Sequence, residues 1–222
     1  MTEPPDLGPD PRPLPNSLRA TGMDAWDGKH GGLLPRELAV LVGDLALGRG
    51  LALTWLVGLL RASGPTSQAY WYRTAPTSTW SPAAHEAAVR GALGELRDQV
   101  ELGNHSGTLV GPKEHLEDVT RRIREWAAGA GTQPPVAVVI IDALPMLART
   151  RDRGARLRGL ARLLDCPVVV LDTRRRPRGG DSSVSVLAGE ADYVLELASQ
   201  TITTTPRYGM SRTIPWSPQR LP

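Results

Sequence analysis

Phenylalanine is absent from this chain, and cysteine and lysine are nearly absent. The single cysteine, Cys166, excludes an internal disulfide framework, and the apolar run that follows it predicts a buried side chain rather than a nucleophile. Because Lys29 and Lys113 are the only lysines, arginine carries nearly all of the positive charge. An arginine excess is typical of a GC-rich genome and also of nucleic-acid binding, so composition alone does not choose between the two.

The sequence also shows no signal peptide. It shows no hydrophobic run long enough to span a membrane. The helix-like apolar run at residues 51–60 is shorter than the roughly 20 residues that cross a bilayer. The N-terminus is acidic and rich in proline, unlike a secretory signal. These absences predict a cytoplasmic protein that has no membrane partner.

Proline density and apolar periodicity divide the chain into one domain with two tails. Residues 1–17 are predicted to be a disordered proline-rich tail, residues 18–216 an α/β domain and residues 217–222 a short second tail. Strands are predicted at residues 38–42, 68–72, 107–110, 136–141, 167–171 and 193–197. Helices are predicted at residues 51–62, 82–100, 113–128 and 152–164. Their alternation favours a mostly parallel sheet covered by helices.

Several side chains can be assigned to the core or the surface from this pattern. Leu157, Leu160, Ala161 and Leu164 recur at helical spacing and predict one buried face. Trp71 and Trp126 are the expected aromatic core residues in a chain without phenylalanine. The arginines at 121, 122 and 124 alternate with acidic residues and predict an exposed, ion-paired helix face. The four histidines show no metal-ligand spacing, and we expect no structural metal.

The segment from Gly43 to Gly50, which reads GDLALGRG, is the most informative motif. It stands between a predicted strand and a predicted helix, which is the setting of a phosphate-binding loop of the form G-x-x-x-x-G-K-[ST]. Gly43 and Gly48 match the glycines of that form. Arg49 stands at the position of the lysine that reaches the phosphates, and Gly50 lacks the hydroxyl that holds Mg²⁺. The motif predicts an ATP site whose two chemical positions are replaced.

Asp142 is the second element of this predicted site. It follows the continuously apolar run 136–141, which is typical of a central parallel strand. An acidic residue at that place is where a Walker B aspartate holds Mg²⁺. Asp142 is therefore the candidate Mg²⁺ ligand.

Further segments resemble one protein family in their order along the chain. They read TGMDAWD at 21–27, GGLLPREL at 31–38, VVIIDALPML at 138–147, RLRGLARLLDCPVVVLD at 156–172, ADYVLEL at 191–197 and TPRYGMSRTI at 205–214. Together with the glycine motif they resemble the C-terminal, RecA-type motor domain of the DnaB family of replicative helicases. The resemblance implies a RecA-like three-layer sandwich of the P-loop NTPase class with a central, mostly parallel sheet.

The resemblance also implies that most catalytic groups of the family are replaced here. The water-activating glutamate falls on Thr74, the glutamine sensor on Thr173 and the hairpin lysine on Thr205, in addition to the changes at Arg49 and Gly50. Asp142 and the hairpin arginine, Arg207, are retained and would be catalytic if the site is active. Loss of a water-positioning group or of an arginine finger costs on the order of 10³–10⁵ in turnover.

Two basic clusters fall where RecA-type helicases place the loops that line their DNA channel. They are Arg149, Arg151 and Arg153 after the Asp142 strand, and Arg174, Arg175, Arg176 and Arg178 after the next strand. Arginine side chains on loops suit contacts with DNA phosphates, which give affinity without sequence preference. A solvated arginine-rich loop is the alternative interpretation.

These observations predict a DnaB-like domain with a degenerate nucleotide site that binds single-stranded DNA, a helicase ring or other copies of itself in DNA replication or repair. One alternative is an active ATPase or helicase that uses Arg49 and Asp142 in a rewired site. The other is a protein-interaction scaffold that binds neither nucleotide nor DNA. ATP turnover separates the first alternative from the rest, and salt-dependent DNA binding separates the DNA-binding hypothesis from the scaffold.

Overall fold

The computed structural model describes residues 18–73, 82–104, 112–129, 135–142, 153–173, 190–208 and 210–217. Strands and helices alternate along most of this length. The strands are β1 (Leu38–Gly43), β2 (Gln68–Arg73), β3 (Val100–Asn104), β4 (Val136–Asp142), β5 (Val168–Thr173), β6 (Tyr193–Leu197), β7 (Thr201–Pro206) and β8 (Arg212–Pro215). The helices are α1 (Asp24–His30), α2 (Leu45–Ser63), α3 (Pro82–Leu93), a 3₁₀ helix at Gly94–Gln99, α4 (Pro112–Gly129) and α5 (Arg153–Leu164).

Within the described residues, eight strands form one mixed sheet in the order β3-β2-β4-β5-β1-β6-β7-β8. The pairs from β3 to β6 are parallel, whereas β7 is antiparallel to both β6 and β8. β4 and β5 contain continuous apolar runs rich in β-branched residues because both faces of a central parallel strand are covered. β1 lies between β5 and β6, so its C-terminal end opens in the middle of the sheet.

Helices cover both faces of the sheet and give the domain two hydrophobic clusters. On one face, α2 packs through Leu51, Trp55 and Leu59 against the strands, and α1 adds Trp26. On the other face, α4 and α5 pack through buried apolar side chains that include Ile123 and Leu157. The structure is thus an α/β domain with a layered arrangement, as the alternation of elements in the sequence predicts.

Five predicted strands are confirmed, each to within a residue or two at its ends. The predicted strand 107–110 lies outside the described residues, as do the tails 1–17 and 218–222. The predicted helix 82–100 ends earlier, because α3 stops at Leu93 and the 3₁₀ helix leads into β3. Gly94, with φ of 56°, adopts a left-handed conformation that ends the α-helix.

The side-chain assignments from the sequence hold at most of the described positions. Trp71 is buried, whereas Trp126 is partly buried and packs on the edge of the second cluster. The stripe on α5 is buried, with Leu164 partly so. Arg121 and Arg122 form ion pairs on the surface of α4. Cys166 is buried, and burial raises the pKa of its thiol to about 12, as expected of an inert side chain.

α2 corrects the expectation that no apolar run is long enough to span a membrane. The helix has 19 residues and by length and composition alone could cross a bilayer. Its side chains are instead largely buried against the sheet, as in the central helix of a soluble α/β domain. The helix is longer than predicted because Leu45 and Leu47, which the glycine motif places in a loop, belong to its first turn.

Candidate functional site

The predicted site lies at the C-terminal edge of the sheet, where β1 and β4 end. The helix that follows β1 covers one face of the sheet, whereas α5, which comes after β4, covers the opposite face. In open α/β sheets, the crevice between connections that leave toward opposite faces is the usual place for a ligand. Gly43 and Asp142 end β1 and β4 here, so the fold brings the two predicted motif segments to the same edge.

The segment that was predicted to be a phosphate-binding loop is mostly helical. α2 begins at Leu45, directly after Asp44, so Gly48, Arg49 and Gly50 lie in the second turn of the helix. A single residue, Asp44, therefore connects β1 to α2. The prediction that the helix begins near residue 51 is wrong, because Asp44 provides an N-cap that the glycine spacing does not reveal.

Asp44 uses its carboxylate to satisfy the free N–H groups at the start of α2. Its Oδ1 accepts hydrogen bonds from the backbone N–H of Ala46 at 2.8 Å and of Leu47 at 3.2 Å. Helix N-termini attract anions because their N–H groups are unpaired and the helix dipole is positive there. The chain's own carboxylate thus occupies the position that a phosphate needs.

Of the two motif glycines, Gly43 is required by packing and Gly48 is not. Gly43 has φ of 149°, and a Cβ at this position would lie 2.9 Å from the carbonyl oxygen of Leu197 on β6. A Cβ on Gly48 would lie 3.4 to 3.7 Å from side-chain atoms of Leu171 and Leu197, which is ordinary van der Waals contact. The close approach of β6 therefore explains the glycine at position 43 only.

Arg49 and Asp142 contact each other directly inside the domain. Nε of Arg49 donates a hydrogen bond to Oδ2 of Asp142 at 2.8 Å, across 93 residues of sequence. Their side chains are only 7% and 0% exposed. The residues at the predicted phosphate-contacting and Mg²⁺-binding positions thus form one buried ion pair.

Arg73 and Trp71, at the end of β2, complete the surroundings of this ion pair. Arg73 is buried and pairs with Asp142 in the register of β2 and β4. Burial raises the pKa of Asp142, whereas the charges of Arg49 and Arg73 and a hydrogen bond from Trp71 act in the opposite direction. The site therefore brings two guanidinium groups to one carboxylate, and the carboxylate is engaged by protein groups. Sequence analysis missed Arg73, because an arginine after an apolar strand is also typical of a solvated strand end.

Arg207, the predicted arginine finger, follows β7 and lies toward the opposite end of the sheet from Arg73 on β2. Its Nη1 is 3.9 Å from Oε2 of Glu190, and its guanidinium carbon lies 5.6 Å from the ring centre of Tyr208. Thr205, at the position of the hairpin lysine, is exposed and lies 3.1 Å from the hydroxyl of Ser211. The domain alone therefore does not bring Arg207 together with Asp142 through any contact among the described residues.

All but one of the predicted DNA-binding arginines lie outside the part of the chain that the structure describes. Arg149 and Arg151 lie outside it, as do Arg174, Arg175, Arg176 and Arg178. Arg153 begins α5, but only its backbone is described. Thr74 also lies outside the described residues, and Thr173 is described only as the last residue of β5.

A scan against protein-family models finds no match to this chain, and a search of the curated proteins finds none either.

Proposed function

We propose that this chain is a RecA-like domain related to the DnaB motor domain that has exchanged ATP turnover for a binding role in DNA replication or repair. The mostly parallel sheet supports this relationship, because a glycine-rich segment follows its central strand β1 and an aspartate ends β4. The proposed partners are single-stranded DNA, a helicase-like ring or further copies of the chain, in the cytoplasm.

The buried ion pair between Arg49 and Asp142 carries this proposal. In a working site of this class, the lysine contacts phosphate and the aspartate holds Mg²⁺ through water. Here the corresponding residues are hydrogen-bonded to each other at 2.8 Å, and their side chains are only 7% and 0% exposed. Mg²⁺·ATP would have to break this contact, and separating a buried ion pair is costly unless new counter-charges take the places of both partners.

The residues present do not fit Mg²⁺·ATP. The N-terminus of α2 is capped by Asp44, Gly50 offers no hydroxyl, and Asp142 already accepts hydrogen bonds from protein groups. Gly48 and Gly50 lie inside a regular helix, so their N–H groups are not arranged around an anion. No catalytic step is therefore assigned to Asp142 or Arg207.

ATP turnover tests the loss of catalysis. We expect the purified protein to hydrolyse ATP negligibly, with or without single-stranded DNA. DNA-stimulated turnover of about 1 s⁻¹ is within the usual range of enzymes. Such turnover in the parent, together with its loss in Asp142→Asn, would contradict the proposal. That variant keeps the shape of the side chain, and circular dichroism would verify that it folds.

Salt-dependent binding of single-stranded DNA tests the binding role. If the loop from Arg174 to Arg178 contacts phosphates, log K should fall with log salt with a slope of roughly −0.7 for each contact. Replacing its four arginines with alanine should reduce both the affinity and this slope, and should change stability little. Equal binding by parent and variant between about 50 and 200 mM salt would favour the protein-interaction scaffold.

A further inference from the structure

The hairpin of β7 and β8 presents an exposed aromatic side chain at its tip. Tyr208 is 85% exposed and Met210 is also 85% exposed, whereas large apolar side chains elsewhere in the described residues are mostly buried. The remaining exposed large apolar residue in that part of the chain is Leu163, on α5. Two of the three exposed large apolar side chains in the described residues therefore lie at one turn.

Arg207 gives this tip a cationic neighbour for the tyrosine ring. Its guanidinium carbon lies 5.6 Å from the ring centre, within the range of a cation–π contact. Such a contact orients an aromatic ring, and the ring of Tyr208 still remains largely open to solvent. An oriented ring beside an arginine is the arrangement on which unpaired bases stack in proteins that bind single-stranded nucleic acid.

A row of hydroxyl groups continues from the tip along one face of the hairpin. Thr205 lies 3.1 Å from Ser211, and Thr203 lies 3.5 Å from Thr213, as cross-strand pairs between exposed hydroxyls. The opposite face of the hairpin carries the buried side chain of Ile202. Hydroxyl groups of serine and threonine commonly contact phosphate and sugar oxygens.

The small apolar area at the tip favours nucleic acid over a protein partner. A stable protein interface covers about 800 Å² on each partner and has an apolar centre. The tip supplies one ring and one methionine, surrounded by hydroxyl groups and arginine. This surface suits a base and its backbone better than the apolar centre of a protein interface.

We propose that the tip formed by Arg207, Tyr208 and Met210 is a stacking site for single-stranded nucleic acid, with the hydroxyl row as a track for the backbone. This site consists of other residues than the arginine clusters at 149–153 and 174–178. It rests on the nucleic-acid-binding role proposed above. Tyr208 stacks on an unpaired base, and Arg207 holds the ring.

The experiment compares Tyr208→Ala with Tyr208→Trp, using fluorescence anisotropy with labelled oligothymidine, oligouridine and duplex DNA. Loss of one stacked base weakens binding by roughly 5- to 100-fold. We expect that loss in Tyr208→Ala on single strands at every salt concentration, with an unchanged salt slope, because stacking releases no counterions. Tyr208→Trp should bind like the parent. Oligothymidine and oligouridine distinguish DNA from RNA as the ligand.

Leu163→Ala is the matched control, because it removes an exposed apolar side chain far along the chain from the hairpin. It should bind like the parent, and duplex binding should not depend on Tyr208. Equal single-strand binding by Tyr208→Ala and the parent would overturn the stacking site alone. Absence of any single-strand binding by the parent would overturn the nucleic-acid-binding role as well. A change from oligomer to monomer in Tyr208→Ala, with unchanged DNA binding, would instead assign the tip to self-association.

Discussion

At the scale of single residues, the buried ion pair of Arg49 and Asp142 is the central feature of the candidate site. An arginine retains the charge of a lysine, but its planar guanidinium makes directed hydrogen bonds to a carboxylate. In this fold, the helix that carries Arg49 crosses the end of β4, so the carboxylate of Asp142 is within reach. The charge that would contact a phosphate thereby becomes part of the core.

Breaking this ion pair on one side should destabilise the domain strongly. We expect Arg49→Met to lower the free energy of unfolding by about 3–5 kcal/mol, because Asp142 is left buried without its partner. The double variant Arg49→Met with Asp142→Leu should recover only part of that loss, because the buried Arg73 then loses the carboxylate that it faces. Urea unfolding of the parent and both variants measures the difference.

The exposed pair of Arg90 and Glu86 on α3 is the matched control. Its nitrogen–oxygen distance is also 2.8 Å, but its side chains are 42% and 47% exposed. Arg90→Met should cost less than about 1 kcal/mol. An equally small cost for Arg49→Met would show that the buried pair does not hold the site together.

Glu37, just before β1, is a second residue whose surroundings are set by the fold. Its Oε2 accepts a hydrogen bond from the N–H of Leu34 at 2.7 Å, and Tyr193 is a further hydrogen-bond partner. The pKa of Glu37 is raised from 4.5 to about 7, mainly by burial, with a smaller contribution from the nearby charge of Asp192 and partial opposition from the hydrogen bond of Leu34. The folded state therefore binds the proton more tightly than the unfolded state does.

Because of this side chain, the free energy of unfolding should decrease as the pH rises. The contribution of Glu37 is complete below about pH 4.5 and is lost as the pH rises through about 7. Glu37→Gln stays neutral and keeps an oxygen acceptor. Its free energy of unfolding should therefore exceed that of the parent by up to about 3 kcal/mol once the pH has risen from about 4.5 to above about 7. Urea unfolding at about pH 5 and about pH 8 measures the gain. An identical pH dependence in both proteins would refute the assignment.

At the scale of elements, the start of α2 decides what the glycine motif becomes. A phosphate loop requires several residues between strand and helix, whereas Asp44 alone connects β1 to α2. The cap satisfies N–H groups that would otherwise be free, and it allows the helix to include the second half of the motif. The same sequence frame therefore builds a continuous helix.

Removing the cap should weaken α2 in a measurable way. We expect Asp44→Ala to cost about 1 kcal/mol of stability, because two helix N–H groups lose their acceptor. Asp44→Asn should retain most of the stability, since its side-chain oxygen can accept the same bonds. Thermal melting of the three proteins tests this. Unchanged stability in Asp44→Ala would mean that the cap does not determine where α2 begins.

At the scale of the whole molecule, the domain closes at its N-terminal side through Arg19. Its backbone bridges to Leu33, and its Nη1 donates to the carbonyl oxygens of Val136 and Ala137 at 3.1 and 3.2 Å. Further on, Gly22 and Thr21 approach Gly58 of α2 so closely that a Cβ on Gly58 would overlap with Thr21. The folded unit therefore includes Arg19.

This closure predicts where the chain can be shortened. A chain that begins at Asn16 should melt within a few degrees of the full chain, because proline-rich residues without apolar pattern are removed. A chain that begins at Ala20 should melt clearly lower, because the hydrogen bonds of Arg19 are lost. A large drop already in the first deletion would show that residues 1–15 pack on the domain.

The strands and helices with strong local patterns follow from the sequence alone. The continuously apolar run of β4 and the stripe on α5 are recognised because burial on two faces or on one face imposes a period on the sequence. Strands with weak patterns are not predicted, for a related reason. The sequences of β3 and of the hairpin strands β7 and β8 mix small, polar and apolar residues, so they show no continuous apolar run.

Some features of the candidate site were likewise predictable from the sequence, and others were not. Sequence by itself determined which residue types stand at positions 49 and 142, and it predicted that both belong to one site. Only the tertiary structure decided that these two side chains bond to each other, that Asp44 caps α2 and that Arg73 joins them. The physical reason is distance along the chain. A motif records residue types at local spacing, whereas a buried ion pair depends on how a helix and a strand 93 residues apart are packed together.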